Sequence, residues 1–211
     1  MNLQTIDTPS LVIELSKMQR NIDRMKAKAQ ALGVTLRPHL KTSKCWEVAR
    51  RQMLSLQGPA TVSTLKEAEE FAAHGVKDII YAVGIAPQKL SRVHALLRQD
   101  VDLKIILDNI ASAQAVSQYC REHNVAMKVL IEIDCDGHRS GLKPNDKTIL
   151  EVARAIEAPA VLAGVITHAG GSYDVDTPKL LLERSNGERE GICAAARMLR
   201  EAGFAVPIVS V

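Results

Sequence analysis

The fold of this chain is indicated most clearly by residues 103–131, LKIILDNIASAQAVSQYCREHNVAMKVLI. Two almost unbroken apolar runs, residues 103–107 and 127–131, enclose a stretch at 111–123 whose apolar residues recur every three or four positions. Such runs are typical of strands that are buried on both faces, and the spacing between them is that of an amphipathic helix. The stretch therefore predicts a βαβ unit in a parallel sheet.

The same alternation extends over the whole chain. We expect helices at residues 17–32, 44–57, 65–74, 87–98, 111–123, 147–157 and 179–202. We expect strands at residues 34–36, 60–62, 79–81, 103–107, 127–131 and 161–166. Residues suited to helix caps flank the helical stretches: Gly33, Gly75 and Gly203 at C-terminal ends, and Ser43, Ser63-Thr64 and Asp108-Asn109 at N-terminal ends.

Two parallel architectures fit this pattern: an open doubly wound sheet and a closed (β/α)8 barrel of the TIM type. The open sheet usually carries G-x-G-x-x-G after its first strand, and that motif does not occur in the sequence. Polar and ionisable residues recur instead at the C-terminal ends of the strands: His39 and Lys41, Ser63 and Thr64, Asp108 and Asn109, residues 134–139 and residues 168–173. A barrel gathers its chemistry at that rim, so the barrel is favoured.

The last apolar run, residues 207–211, reaches the end of the chain. With it the pattern gives a total of about seven barrel strands, whereas a full barrel has eight in about 250 residues. An unfinished sheet edge is poorly tolerated. We therefore expect that the barrel is incomplete at its C-terminus and that the sequence is part of a longer protein.

Composition excludes several classes of partner. The net charge is only +3, the charges of both signs are interspersed, and aromatic residues make up 3% of the chain, so we expect no nucleic-acid partner. No apolar run reaches the roughly 20 residues of a membrane span and the N-terminus lacks a signal peptide, so we expect no membrane association. Four widely spaced cysteines indicate reduced thiols, and we expect a cytoplasmic protein.

The segment Arg37-Pro38-His39-Leu40-Lys41-Thr42-Ser43-Lys44 ends the first predicted strand and carries the clearest candidate for chemistry. A lysine at a barrel rim is partly shielded from water, and burial with nearby cations favours the neutral amine that attacks carbonyls to form a Schiff base. From spacing alone, a solvated lysine in a basic loop fits Lys41 better, because Arg37 and Lys44 flank it and lysine is usually exposed.

Five segments in order carry a family resemblance: residues 8–12 (TPSLV), 37–42 (RPHLKT), 61–64 with 67–69 (TVST, EAE), 132–141 (EIDCDGHRSG) and 168–173 (HAGGSY). Together they resemble the D-threonine aldolase and eukaryotic-type D-serine dehydratase family, which shares the N-terminal barrel of alanine racemase. The resemblance covers essentially the whole chain.

The resemblance implies that the chain binds pyridoxal 5′-phosphate (PLP), held by Lys41 as an internal aldimine. It places Arg139 beside the ring oxygen and Tyr173 near the pyridine nitrogen, and it puts His168 at the same rim. Lys41 and His168 are the expected catalytic residues, and His39 is expected to orient the lysine loop. Taken singly, Arg139 is equally a loop ion pair, Tyr173 a loop cap and His168 a hydrogen-bonded strand-end residue.

The resemblance also indicates what this chain does not contain. The glycine- and threonine-rich turn that binds the cofactor phosphate in the family comes just after a strand resembling residues 206–211, so we expect weak PLP binding and little activity from these 211 residues alone. The family's C-terminal β-domain, with the ligands of a divalent metal such as zinc or manganese, is likewise expected outside the chain, and we assign no metal ligand here. Residues 1–14 would form a strand that pairs with that domain, and residues 15–211 the truncated barrel.

The function implied by the resemblance is a PLP-dependent lyase that acts on D-configured β-hydroxy amino acids. Dehydration would give a keto acid and ammonia, whereas retro-aldol cleavage would give glycine and an aldehyde. The alternatives are a non-catalytic PLP-binding homeostasis or regulatory barrel, an amino-acid racemase of the same fold, and an unrelated barrel. Relatives form dimers, so a homodimer that takes a small amino-acid substrate is expected.

Overall fold

A computed structural model describes residues 3–211 of the chain. It contains a parallel sheet of six strands, β1 Ala60–Val62, β2 Asp78–Gly84, β3 Asp102–Leu107, β4 Lys128–Ile133, β5 Val161–Thr167 and β6 Ile208–Ser210. The helices are α1 Leu15–Ala31, α2 Trp46–Gln52, α3 Leu65–Ala73, α4 Leu90–Leu97, α5 Ile110–His123, α6 Thr148–Ala155 and α7 Pro178–Glu201. Short 3-10 turns lie at Leu3–Thr5, Pro87–Lys89 and Gly170–Asp174.

The strands lie in the sheet in the order in which they occur in the chain, and every neighbouring pair is parallel. A doubly wound sheet reverses its strand order at a switch point, whereas a barrel does not. The order therefore confirms the barrel type, with β1 and β6 at the two edges of the sheet. None of the helices in residues 3–211 combines the length and hydropathy that a membrane span requires.

Alternate residues of each strand divide the core into two parts. One row, which includes Ile79, Ile105 and Ile131, joins the large cluster formed with the helices. The other row forms a small cluster inside the curve of the sheet, composed of Ile80, Ile106, Leu130 and Ile166 with Ala82 and Ile208 packed against them. Residues in step with this second row point into the barrel, which decides the direction of the polar residues farther along each strand.

Gly164 lets β5 and β6 approach each other. Its φ is +151°, and a Cβ atom there would lie 2.0 Å from the carbonyl oxygen of Ile208. Because that oxygen belongs to the backbone of the neighbouring strand, it cannot move aside as a side chain would. The sheet can therefore extend from β5 to β6 only with glycine at this position.

A charged cluster lies in the barrel below the inner apolar row, at the N-terminal ends of the strands. The Lys104 ammonium, 5% exposed, bonds to Asp78 and Asp102 at 2.8 Å each. Arg37 contacts Asp78 with two nitrogens, at 2.7 and 2.9 Å, and Lys128 bonds to Asp102 at 2.9 Å. Burial tends to raise the pKa of both aspartates, but the hydrogen bonds and charges of these cations lower it overall.

The expected first strand, residues 34–36, is wrong. The N–H groups of Gly33 and Val34 bond instead to the carbonyls of Gln30 and Ala29, which closes the C-terminus of α1. Gly33 has φ +66°, so this is a Schellman ending that occupies the backbone at the point where a ladder would begin. In this segment, strand pairing is limited to a bridge between His39 and Thr61, so the described sheet has six strands in place of the expected seven.

The other expected helices and strands are confirmed, apart from shifts at their ends. The helix expected at 44–57 ends at Gln52, because Ser55 and Gly58 form a tight turn with reciprocal backbone hydrogen bonds. Thr64 and Asn109 cap α3 and α5 as expected, but the N-cap position of α2 is Cys45 and not Ser43. Residues 11–14, within the strand expected at residues 1–14, are irregular and exposed, and residues 1–2 lie outside the described part.

Candidate functional site

The segment with Lys41 is joined to the sheet by two backbone hydrogen bonds across the bridge to Thr61. The Thr61 N–H donates to the Pro38 carbonyl at 2.9 Å, and the Leu40 N–H donates to the Thr61 carbonyl at 2.8 Å. Leu40 is fully buried among the helix-facing residues, so the alternation turns its neighbours His39 and Lys41 toward the barrel mouth. The Lys41 side chain is exposed at that rim, in a position to meet a ligand.

His39 lies directly beside Lys41, and its ring is neutral at physiological pH. Its Nδ1 accepts a hydrogen bond of 3.3 Å from the Lys41 N–H, so the neutral ring carries its proton on Nε2. Burial, then the positive charge of Lys41, lowers the pKa of His39 to about 4; Glu67 opposes this and His168 adds to it. His39 is therefore a neutral hydrogen-bond acceptor for the lysine loop and does not add a second positive charge there.

His168 follows β5 and faces the same space. Burial lowers its pKa, and the charges of Arg139 and Lys41 lower it further, whereas Glu188 and Asp136 act in the opposite direction. The Tyr173 hydroxyl lies 3.5 Å from His168 Nε2, and the two ring centroids are 5.9 Å apart.

The structure thus brings together the five residues predicted from the sequence: His39, Lys41, Arg139, His168 and Tyr173. Their roles toward a cofactor or substrate stay predictions.

Glu132 is a site residue that the sequence-based prediction missed. It stands on β4 in step with Leu130, which belongs to the inner row, so its carboxylate faces the barrel. Burial raises its pKa, as do the nearby charges of Asp108 and Asp134, while a hydrogen bond from Ser140 and the charge of Arg139 act the other way. The alternation along β4 was the signal that could have revealed this carboxylate.

Glu67 is the second missed residue, and it supports the rim from behind. Its carboxylate accepts hydrogen bonds from the Ser63 N–H at 2.8 Å and the Ser63 hydroxyl at 3.1 Å, and it pairs with Lys44 at 3.3 Å. Burial tends to raise its pKa, but these partners lower it overall, so Glu67 is a buried anion. Its negative charge acts on His39 and tends to raise the pKa of that ring.

The rim has the donor set that an anionic aldehyde requires. Lys41 provides a primary amine, and the neighbouring Arg139 and His168 provide donors for negatively charged oxygens. PLP is such a compound, and the residues present fit it. A metal ion is a different case: within residues 3–211, no three His, Cys, Asp or Glu side chains lie close enough together to hold one.

The structure is a half-barrel of parallel strands, and it carries a lysine at the rim in the segment that is bridged to β1. This arrangement defines the structural class. Residues 13–211 match the family model described as alanine racemase, N-terminal domain, and the chain belongs to that family. The resemblance drawn from the sequence motifs is thereby confirmed, as is the fold class.

Two curated relatives that match almost the whole chain are a dehydratase and an aldolase. The chain is 49% identical over 211 residues to the D-threo-3-hydroxyaspartate dehydratase of Delftia sp.. This match covers 99% of the chain and 56% of the relative. It is 30% identical over 210 residues to the D-threonine aldolase of Arthrobacter sp.. That match covers 99% of this chain and 55% of the relative. The solved structure of the Delftia enzyme superimposes with a TM-score of 0.95 over 98% of this chain and 55% of that one. The chain spans about half the length of the curated relatives it matches.

Proposed function

We propose that this chain is the cofactor-binding barrel of a PLP-dependent lyase that dehydrates a D-configured β-hydroxy amino acid. The observation that carries the proposal is the position of Lys41, which lies at the barrel mouth beside neutral His39 and close to Arg139 and His168. Identity of 49% to a D-threo-3-hydroxyaspartate dehydratase, against 30% to a D-threonine aldolase, supports dehydration over aldol cleavage.

Lys41 has two tasks in this proposal. Its amine would hold the cofactor aldehyde covalently, and the same amine would be placed to take up the proton of the substrate Cα. Bound PLP supplies the electron sink that makes this proton acidic. His39 holds the lysine loop through Nδ1 and remains uncharged, so it neither repels the amine's proton nor competes for substrate carboxylate.

The remaining rim residues orient the ligand and move protons. Arg139 would donate to the ring oxygen of the cofactor and Tyr173 would lie near its pyridine nitrogen, in the roles that the family resemblance implies. His168, whose lowered pKa keeps its ring neutral, is able to accept or deliver a proton at the β-carbon side of the substrate. Glu132 balances the charge of Arg139 from the barrel interior.

We propose that the protein is a cytoplasmic homodimer whose partner is a small amino-acid substrate and not nucleic acid. A solved mutant of a D-threo-3-hydroxyaspartate dehydratase is in the metal-free form. We propose that a divalent metal, zinc or manganese, is likewise used here, with ligands outside these 211 residues, and none of the steps above depends on it.

The test is to locate the covalent attachment in the protein expressed from its complete gene. The protein is purified with PLP, reduced with borohydride and mapped by peptide mass spectrometry. We expect one pyridoxyl adduct, on Lys41, and the loss of the visible absorption band in Lys41→Ala. Lys66→Ala, which removes an exposed lysine of α3 paired with Glu70, is the matched control and should keep the band. An adduct on another residue, or none, would refute the assignment.

Product analysis then decides the reaction. D-threo-3-hydroxyaspartate should yield oxaloacetate and ammonia, whereas aldol cleavage of the same substrate would yield glycine and glyoxylate. D-serine, D-threonine and the L-isomers serve as comparison substrates. Glycine as the product would show that the enzyme is an aldolase and not a dehydratase. An L-isomer as the product would show that it is a racemase. A Lys41 adduct without turnover of any substrate would show that it is a PLP carrier.

A further inference from the structure

Two loops supply most of the rim, and their relative position determines the site. The loop after β4, residues 134–141, carries Arg139, and the loop after β5, residues 168–174, carries His168 and Tyr173. The whole of α6 and β5 separates these loops in the sequence, so a tertiary contact must set the distance between Arg139 and His168. Such a contact is present at Asp136.

The Asp136 carboxylate, 8% exposed, joins the two loops. Its Oδ2 accepts a hydrogen bond of 2.6 Å from the Gly171 N–H, and its Oδ1 accepts one of 3.1 Å from the His138 N–H. Burial tends to raise the pKa of Asp136, but these two N–H groups and the charges of His138 and Arg184 lower it overall. The carboxylate is therefore an anion held by both loops at neutral pH.

The glycine pair Gly170-Gly171 makes this approach possible. A Cβ atom on Gly171 would lie 2.9 Å from Asp136 Oδ2 and 3.3 Å from the ring of His138. A Cβ atom on Gly170 would lie 3.0 Å from Cδ of Arg139. The backbone of neither glycine lies in the left-handed region, so these glycines provide room for the facing loop and not a turn.

We propose that Asp136 is a positioning residue that latches Gly170-Gly171 onto the loop of residues 134–141 and so sets Arg139 opposite His168. The latch is the Asp136 carboxylate with the Gly171 N–H. The role of the latch in positioning Arg139 and His168 for a ligand rests on the proposed function. The contact between Asp136 and Gly171 does not depend on that function. Asp136 touches neither cofactor nor substrate in this account and acts only through the arrangement of the two loops.

Hydrogen–deuterium exchange in the protein from the complete gene tests the latch without any cofactor. Asp136→Ala should speed exchange of the amides of residues 169–173 by about tenfold or more, the loss expected for a hydrogen bond to a charged group. Asp136→Asn keeps an acceptor oxygen and should have a smaller effect. Asp146→Asn, which removes an exposed carboxylate that caps the start of α6, is the matched control and should leave these amides unchanged.

Gly171→Ala opens the latch from the other side while Asp136 is still present. We expect the same faster exchange and a PLP dissociation constant raised about tenfold, as in Asp136→Ala. The double variant should be no worse than the more severe single variant, because both changes break one contact.

The proposal would be overturned if amide exchange at residues 169–173 were unchanged in Asp136→Ala, or if the effects of the two substitutions were fully additive in the double variant. If Asp136→Ala is insoluble, amide exchange in Asp136→Asn and Gly171→Ala decides in the same way. Protected amides in a protein that binds no PLP would refute the proposed function and leave the latch standing.

Discussion

Replacing His39 by asparagine should flatten the dependence of stability on pH. The Asn side-chain oxygen can take the place of Nδ1 and accept the hydrogen bond from the Lys41 N–H, so the loop keeps its contact. What the variant loses is a ring that the folded protein holds uncharged, with a pKa of about 4 in place of 6.5. The perturbation therefore isolates the cost of keeping this histidine neutral at the rim.

The sign and size of the effect follow from proton linkage. Above pH 6.5 the ring is neutral in both the folded and the unfolded chain, and it does not affect stability. Below pH 6.5 the unfolded chain takes up a proton that the folded chain refuses, so stability falls until the pH reaches about 4. The full difference in pKa corresponds to roughly 3 kcal/mol. Because the ring is only half-buried, solvent screening reduces this to about 1.5 kcal/mol.

Urea unfolding at a series of pH values from 7.5 to 4.5 measures this directly. The unsubstituted protein should lose about 1 kcal/mol more than His39→Asn over that range, because the carboxylates titrate equally in both. His123→Gln, at the exposed end of α5, is the control and should not reduce the slope. Equal slopes for the unsubstituted protein and His39→Asn would show that His39 is not held neutral, and the description of the rim would be wrong.

Two further substitutions address opposite ends of the barrel. Lys104→Met should lower the free energy of unfolding by about 2 kcal/mol at pH 7, as measured by urea unfolding, because Asp78 and Asp102 lose a buried partner. This destabilisation should shrink at acid pH, where the two carboxylates become protonated. An unchanged midpoint would contradict this. Glu132→Gln should stabilise by roughly 1 kcal/mol at pH 7, since burial raises the pKa of Glu132 and its ionised form is unfavourable there. That gain should vanish toward its ordinary pKa, and turnover should drop because Arg139 loses its counter-charge; a destabilised, fully active variant would contradict the assignment.

Most of the fold could be predicted from the sequence because the inner strands are buried on both faces. Residues 103–107 and 127–131 are apolar throughout, and the structure places them in β3 and β4. The failure at residues 34–36 arose where two local signals competed. Val34 is β-branched, but its N–H closes the helix ending at Gly33, and this hydrogen bond prevents strand pairing.

The site could be predicted only in part. Lys41 and His168 were identifiable because polar residues follow directly after apolar strands, and such residues meet at one rim. Glu132 lies inside a strand, where its alternation with Leu130 is the only signal. The contact between Asp136 and Gly171 joins residues that are 35 positions apart, and no local pattern in either loop reveals that they meet.

The two ends of the barrel differ in how their charges are satisfied, and this difference locates the site independently of any relative. At the N-terminal end, Lys104 lies between Asp78 and Asp102, whose pKa values are lowered, so the ionised form of both carboxylates favours folding. At the rim, His39 is held neutral against its own basicity, Glu132 has a raised pKa, and the charges of Lys41 and Arg139 both act on His168. Groups held in unfavourable protonation states destabilise a protein unless a ligand compensates them. An anion bound between Lys41 and Arg139 would relieve the repulsion among these cations, and this favours the rim over the opposite end as the proposed binding site.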